Sequence, residues 1–154
     1  MIILLDIDGV LVTTPPWRTS ELEEDGFLKF NDRAATNLAR IVDQTNAAIV
    51  LTTTHRVSFT VDEWWGLLRV RGIRPSSISK VNDVATLHEI ADRASEIEEW
   101  VGRYGVGVNF VVIDDDTALN GLATPIRDRC VLTKSLIGFD EEAANHALKI
   151  LTDH

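Results

Sequence analysis

Three short apolar runs, each followed by polar residues, constrain the fold of this chain more than any other feature. They occupy residues 2–7, 47–51 and 108–113, and residues 130–132 form a shorter fourth candidate. The runs are rich in β-branched residues and do not alternate with polar ones, as is typical of strands buried on both faces of a parallel sheet. Helical patterns lie between them. We therefore predict an α/β fold: a three-layer, doubly wound, Rossmann-like and mainly parallel sheet with helices on both faces.

Capping residues indicate where the helices of this fold begin. Asn31 and Asp140 each stand just ahead of an apolar pattern with helical spacing, and both residue types are favoured at helix N-termini. Thr60 and Glu63 have the spacing of a capping box. Apolar residues at helical spacing also run from 91 to 104. These signals predict four main helices between and after the strands.

Length and composition exclude several classes of protein. With 154 residues, of which 45% are hydrophobic and 25% charged, the chain is expected to form one globular domain over residues 1–154. No apolar run approaches the ~20 residues that span a bilayer. Asp6 and Asp8 interrupt the first run too early for a signal peptide, and a lone Cys130 leaves no internal disulfide. These features predict a cytoplasmic protein that makes no membrane contact.

Carboxylate and hydroxyl side chains follow three of the predicted strands: Asp6 and Asp8, Thr52 and Thr53, Asp114 and Asp115. Ligands of such sheets bind at the carboxyl ends of the strands, so we expect these side chains to meet at one edge. Converging carboxylates repel and raise one another's pKa. A divalent cation removes that repulsion, and oxygen ligands suit Mg²⁺. The alternative, in which each acid caps a helix or faces water, does not explain their convergence.

The order of these residues resembles the signatures of the haloacid dehalogenase (HAD) superfamily of phosphatases. The string DIDGVL at residues 6–11 is similar to the first signature, and AIVLT at residues 48–52 is similar to the second. The fourth is matched by FVVIDD at residues 110–115. The third signature is a single Lys or Arg on the preceding helix. Arg93 is the better placed candidate for it, and Lys80 is the alternative.

A finer similarity is to the small HAD domains associated with RNA-repair ("Swiss Army Knife") proteins. It covers VLTTTHR at residues 50–56, a pattern from Arg93 to residue 101, and the segment at residues 131–139. The subgroup typically has a Trp before the Arg of the first of these segments. This chain has His55 there.

The resemblance implies the roles of the acidic residues. Asp6 would attack phosphorus and form an aspartyl-phosphate. Asp8 would protonate the leaving oxygen and then activate the hydrolytic water. Mg²⁺ would be held by the Asp6 carboxylate, the Asp8 backbone carbonyl and Asp114, with Asp115 in support.

The resemblance also implies phosphate contacts. Thr52 would hold a phosphoryl oxygen, although Thr53 could do this while Thr52 caps the strand. Arg93 would pair with the phosphate and with Asp6. The alternative is an exposed helix residue that pairs with Glu96 or Glu89, which contributes only a few tenths of a kcal/mol.

Three further residues are predicted to bind substrate: Arg56, Lys80 and Trp17. Arg56 directly follows the threonine run, and with Lys80 it belongs to the basic part of an otherwise acidic chain of formal charge −9. Trp17 lies in the short segment after the first signature, where it could stack on a base or pack within the protein. The basic stretch could equally be a solvated helix end.

The spacing between signatures leaves no room for a cap domain. We therefore expect a capless, open site that favours a phosphate on something large, such as a polynucleotide 3′ or 5′ end. The predicted function is Mg²⁺-dependent phosphomonoester hydrolysis. The alternatives are a small-molecule (nucleotide or sugar) phosphatase with a lid from a partner subunit, and a phosphate-binding module of a larger repair or signalling assembly. A receiver domain is disfavoured because paired acids follow the third run.

Overall fold

A parallel five-stranded sheet forms the centre of the computed structural model, which describes residues 1–153. Its order is β3-β2-β1-β4-β5, and all four neighbouring pairs are parallel. The chain builds outward from β1 to one edge and then returns to build the other, so the sheet is doubly wound as predicted. The strands are β1 (Ile2–Leu5), β2 (Ala48–Leu51), β3 (Ile78–Lys80), β4 (Phe110–Asp114) and β5 (Cys130–Leu132).

Five α-helices connect or follow the strands: α1 (Asp32–Thr45), α2 (Val61–Val70), α3 (Arg93–Trp100), α4 (Thr124–Arg127) and α5 (Glu141–Thr152). Short 3₁₀ helices lie at Thr54–Ser58, Leu87–Glu89 and Thr117–Gly121, and α3 continues into a π turn at Val101–Gly105. Among residues 1–153, every helix falls short of the length and apolar character that crossing a bilayer requires.

The predicted capping residues begin the helices. Asn31 accepts a hydrogen bond from the Ala34 amide at the start of α1, and Asp140 accepts one from the Ala143 amide at the start of α5. Thr60 and Glu63 form both hydrogen bonds of a capping box at α2. Local sequence therefore determines where these three helices start.

Alternating side chains along β1 divide the core into two layers. Ile3 and Leu5 belong to the larger apolar cluster, which is completed by α1, α2 and α5. Leu4 belongs to a smaller cluster on the opposite face, where Ile97 and Trp100 of α3 pack. Helices thus cover both faces of the sheet, as the buried, non-alternating strands predict.

The structure differs from the sequence interpretation in one strand. Residues 78–80 form β3 beside β2, although the prediction placed only a turn there. This edge strand has three residues, of which Ile78 is buried and Ser79 exposed, so it lacks the apolar run that marks a doubly covered strand.

Neither of the two segments in which a cap could be inserted holds a further domain. Within the described chain, residues 6–31 form turns with isolated bridges and no helix or extended strand. Residues 52–77 hold a 3₁₀ turn and α2, and α2 packs into the main core. The edge where the strands end is therefore not covered by a separate cap.

Candidate active site

A cluster of three carboxylates lies where β1 and β4 end. Asp6 follows β1, Asp114 ends β4 and Asp115 comes next; one carboxylate oxygen of each lies within 4.8 Å of the others. The two strands are adjacent and parallel, so their carboxyl ends open on the same edge of the sheet. Asp114 is fully buried and Asp6 is only 5% exposed. The sheet therefore brings three of the four acids of the sequence prediction together.

Arg93 is the cation of this cluster. Its guanidinium nitrogen lies 2.5 Å from an Asp114 carboxylate oxygen and 3.3 Å from one of Asp6. Arg93 is the first residue of α3, whose N-cap is Asp92, so the helix start directs it toward the strand ends. Lys80, the alternative cation, instead donates a hydrogen bond to the Phe59 carbonyl.

Burial and the charge of Asp114 raise the pKa of Asp6 from an ordinary 3.8 to about 8, against the lowering effect of Arg93. Burial also raises the pKa of Asp114. Burial makes ionisation of these carboxyl groups unfavourable. A hard divalent cation would compensate their negative charges, so this cluster of oxygen donors fits such an ion. Asp6, Asp114 and Asp115 are the side chains that could hold it.

The Asp115 side chain packs closely against Gly9, in the turn that follows β1. A Cβ atom at Gly9 would lie 2.0 Å from an Asp115 carboxylate oxygen, and Gly9 has a φ of +79°. The Ser135 hydroxyl donates to the same carboxylate at 2.7 Å, and the Thr133 hydroxyl donates to the Gly9 carbonyl at 2.7 Å. Residues after β5 thus support the acidic cluster.

The raised pKa of Asp6 predicts how the stability of the metal-free protein depends on pH. Between about pH 4 and pH 8 the folded protein keeps the Asp6 proton while the unfolded chain releases it, so stability falls as pH rises through this window. Asp6→Asn removes this loss. We expect the variant to melt roughly 10–20 °C above the wild type at pH 8.5 in EDTA, and at nearly the same temperature at pH 4.

Two comparisons control this melting experiment. Asp43→Asn changes an exposed acid of α1 and should not reproduce the effect. Mg²⁺ at pH 8.5 should raise the melting temperature of the wild type more than that of Asp6→Asn, because a ligand of the folded state stabilises it. Equal melting of Asp6→Asn and wild type at pH 8.5 would show that the buried carboxylate does not destabilise the fold.

Thr52 and Thr53 differ in what their hydroxyls are free to do. The Thr52 amide continues the sheet by donating to Leu5, and its fully buried hydroxyl oxygen has no hydrogen-bond partner within residues 1–153. The Thr53 hydroxyl caps the following 3₁₀ helix by accepting from the His55 amide. Of these two hydroxyls, that of Thr52 is therefore the one without a partner in the described part of the chain.

The structure does not support the predicted substrate contact of Arg56. Its side chain is fully buried and pairs with Glu96 at 2.5 Å. One terminal nitrogen donates to the carbonyls of Thr52 and Thr53, and the other donates to Asn82 as well as Glu96. Both terminal nitrogens are thus used inside the protein. Arg93 itself is largely buried and pairs with Asp6 and Asp114, so it is not the exposed helix residue of the alternative that paired it with Glu96 or Glu89.

Two further cations between residues 56 and 80 are likewise used within the fold. Arg71 pairs with Asp25 and its guanidinium lies over the Phe27 and Phe30 rings, while Lys80 is tied to a backbone carbonyl. Trp17 is 77% exposed in the segment between β1 and α1. Of the three predicted substrate-binding residues beyond the threonines, only Trp17 keeps its side chain free at the surface.

Asp8 lies outside the buried cluster and contacts a residue that sequence reasoning left without a role. Its carboxylate, with a side chain 61% exposed, lies 2.9 Å from the His55 imidazole Nε2. The position of His55, directly after the threonine run, was the available signal. Glu96 was also missed as a partner of Arg56, because residues 40 apart along the chain are linked only by the fold.

Comparison with known proteins assigns the chain to a family. A profile described as the HAD domain in Swiss Army Knife RNA repair proteins matches residues 2–144. Searches of curated proteins and of solved structures return no match. The matched span includes all five strands and each acidic, threonine and arginine residue of the site. The chain therefore belongs to the family of HAD domains found in Swiss Army Knife RNA repair proteins.

Proposed function

We propose that this protein is a Mg²⁺-dependent phosphomonoester hydrolase that works through an aspartyl-phosphate on Asp6. One observation carries the proposal: a buried carboxylate that ionises unfavourably stands at the strand ends, between a second carboxylate and the guanidinium of Arg93. Such an arrangement destabilises the fold, and perturbed carboxyl groups of this kind cluster at functional sites. Membership of the HAD family supports a hydrolase.

The reaction uses Asp6 and Asp8 in two steps. An Asp6 carboxylate oxygen forms a bond to phosphorus while the ester P–O bond breaks, and the leaving oxygen takes a proton from Asp8. Asp8 then accepts a proton from water as the water oxygen bonds to phosphorus. The bond between phosphorus and Asp6 breaks, which releases inorganic phosphate and restores both carboxyl groups.

Four residues would hold the metal ion at the proposed site. Asp6, Asp114 and Asp115 would hold Mg²⁺ through their carboxylates and Asp8 through its backbone carbonyl. When bound, the ion supplies charge neutralisation between the anionic nucleophile and the phosphate. Arg93 and the Thr52 hydroxyl bind the phosphoryl oxygens.

The two candidate cations can be separated by mutation. Arg93→Met removes a positive charge beside both Asp6 and Asp114, so we expect kcat/KM for phosphate release to fall about 10²- to 10³-fold. Lys80→Met removes a charge that is directed at a backbone carbonyl and should cost less than about threefold. The measurement is steady-state phosphate release by both variants. A larger loss in Lys80→Met would reverse the assignment.

The substrate we propose is a phosphate at the end of a polynucleotide. The strand ends lack a cap, which suits a phosphate carried by a large molecule, and the exposed Trp17 offers an aromatic face on which a base could stack. The family is named for RNA repair proteins, which agrees with this substrate class. We also propose that the protein acts with a partner subunit or within a larger repair assembly.

The test is phosphate release with and without Mg²⁺ from a panel of substrates. The panel contains an aryl phosphate, nucleoside 3′- and 5′-monophosphates, 3′- and 5′-phosphorylated RNA and DNA oligonucleotides, and a phosphopeptide. Preference for oligonucleotide ends supports the proposed substrate. Preference for mononucleotides or sugar phosphates favours the small-molecule alternative. Phosphate binding without release from any substrate would favour a binding module and overturn the proposal of an enzyme.

A further inference from the structure

We propose that His55 is a positioning residue for Asp8: its imidazole holds the Asp8 carboxyl where it donates a proton to the leaving oxygen. This inference rests on the proposed function and adds to it a residue outside the acidic cluster. Its starting point is the contact of 2.9 Å between His55 Nε2 and an Asp8 carboxylate oxygen.

Asp8 depends on this contact because little else restrains its side chain. The side chain is 61% exposed, and within residues 1–153 His55 provides the hydrogen bond and ion pair of its carboxylate. An exposed carboxyl without a partner samples several rotamers. A proton donor in the wrong rotamer is ineffective, because proton transfer needs hydrogen-bond distance to the leaving oxygen.

His55 is itself held in place by the surrounding structure. Its ring packs edge-to-face against Phe27 with centroids 5.5 Å apart, and Phe27 is 4% exposed and packs in turn on Phe59 and Trp64. Its backbone amide donates to the Thr53 hydroxyl. The imidazole is therefore fixed before substrate arrives, and a preorganised partner can orient a mobile carboxyl.

A neutral imidazole with hydrogen on Nε2 donates to one oxygen of the Asp8 carboxyl. The other oxygen then remains free to carry the proton that goes to the leaving group. His55 therefore determines where the Asp8 carboxyl is held.

Dependence on the leaving group tests this role. An alkyl phosphate releases a strongly basic alkoxide and needs the proton, whereas p-nitrophenyl phosphate releases a stable phenolate and needs it much less. We measure kcat/KM, which covers the steps up to transfer of phosphorus to Asp6 and omits later hydrolysis. His55→Phe keeps a ring against Phe27 and removes the hydrogen bond. His55→Gln keeps a polar group near Nε2.

We expect His55→Phe to lower kcat/KM about 10- to 100-fold for an alkyl phosphate and less than about threefold for p-nitrophenyl phosphate. His55→Gln should recover most of the alkyl phosphate activity. In a double-mutant cycle, adding His55→Phe to Asp8→Asn should cause no further loss, since the two residues act through one group. The exposed His88 provides a control, because His88→Phe should leave both substrates unaffected.

Other outcomes overturn the inference and are separable. An equal loss on both substrates, or a loss that persists in the Asp8→Asn background, would mean that His55 acts through the fold or elsewhere in the site. No loss on the alkyl phosphate would mean that Asp8 is oriented without His55. Melting curves of each variant identify any loss due to unfolding. If the wild type releases phosphate neither from these two substrates nor from the phosphorylated oligonucleotides, the proposed function itself fails.

Discussion

Asp6→Asn is expected to abolish phosphate release, with a fall in kcat of at least about 10³-fold on every substrate that the wild type accepts. The amide has nearly the shape of the carboxylate but is a poor nucleophile toward phosphorus, so the covalent intermediate does not form. The amide also removes one of the charges that would hold Mg²⁺. Nucleophile and metal ligand are lost together, and for this reason the effect is the largest that we expect in the site.

The measurement is a single-turnover assay that follows both phosphate release and labelling of the protein by a ³²P-labelled substrate. The wild type, quenched in acid, should retain label, and Asp6→Asn should retain none. The melting temperature of Asp6→Asn, measured under the same conditions, shows whether unfolding contributes to its loss of activity. Activity of Asp6→Asn within about tenfold of the wild type would rule out Asp6 as the nucleophile.

Arg56→Met is expected to cause the largest loss of stability, about 3–5 kcal/mol. The variant leaves Glu96, whose side chain is 2% exposed, with an uncompensated buried charge. It also removes the donor to the carbonyls of Thr52 and Thr53. Urea unfolding monitored by far-UV circular dichroism measures the free energy of unfolding directly.

Two further variants test whether the buried ion pair is the cause of this loss. The double variant Arg56→Met/Glu96→Met removes both charges and should recover much of the loss, because an apolar pair of similar volume often replaces a buried ion pair at little cost. Arg103→Met breaks the exposed pair with Glu99 and should cost less than about 0.5 kcal/mol. If Arg56→Met costs as little as Arg103→Met, the Arg56–Glu96 pair does not stabilise the core.

The network of contacts around Arg56 also bears on activity. Arg56 joins the Thr52–Thr53 segment to Glu96 of α3, the helix that also carries Arg93. The network thus connects the two elements proposed to bind the phosphoryl group. If the double variant is well folded, any change in its KM reports on this connection and not on direct contact with substrate.

Most of the fold could be predicted because its determinants are local. Strands covered on both faces need unbroken apolar residues, and helix starts need particular caps, so β1, β2, β4 and the starts of α1, α2 and α5 are visible in the sequence. β3 was missed because an edge strand of three residues needs only one buried side chain. Its pairing with β2 depends on the tertiary structure.

Local sequence is sufficient to place particular residues at the strand ends. Asp6 follows β1 and Asp114 ends β4, and parallel pairing of these strands brings them to one edge. The division of the two arginines between the carboxylates depends instead on how the elements pack. Arg93 reaches Asp6 and Asp114 while Arg56 pairs with Glu96, because each buried guanidinium needs a carboxylate, and which one lies within reach depends on how α3 packs against the sheet.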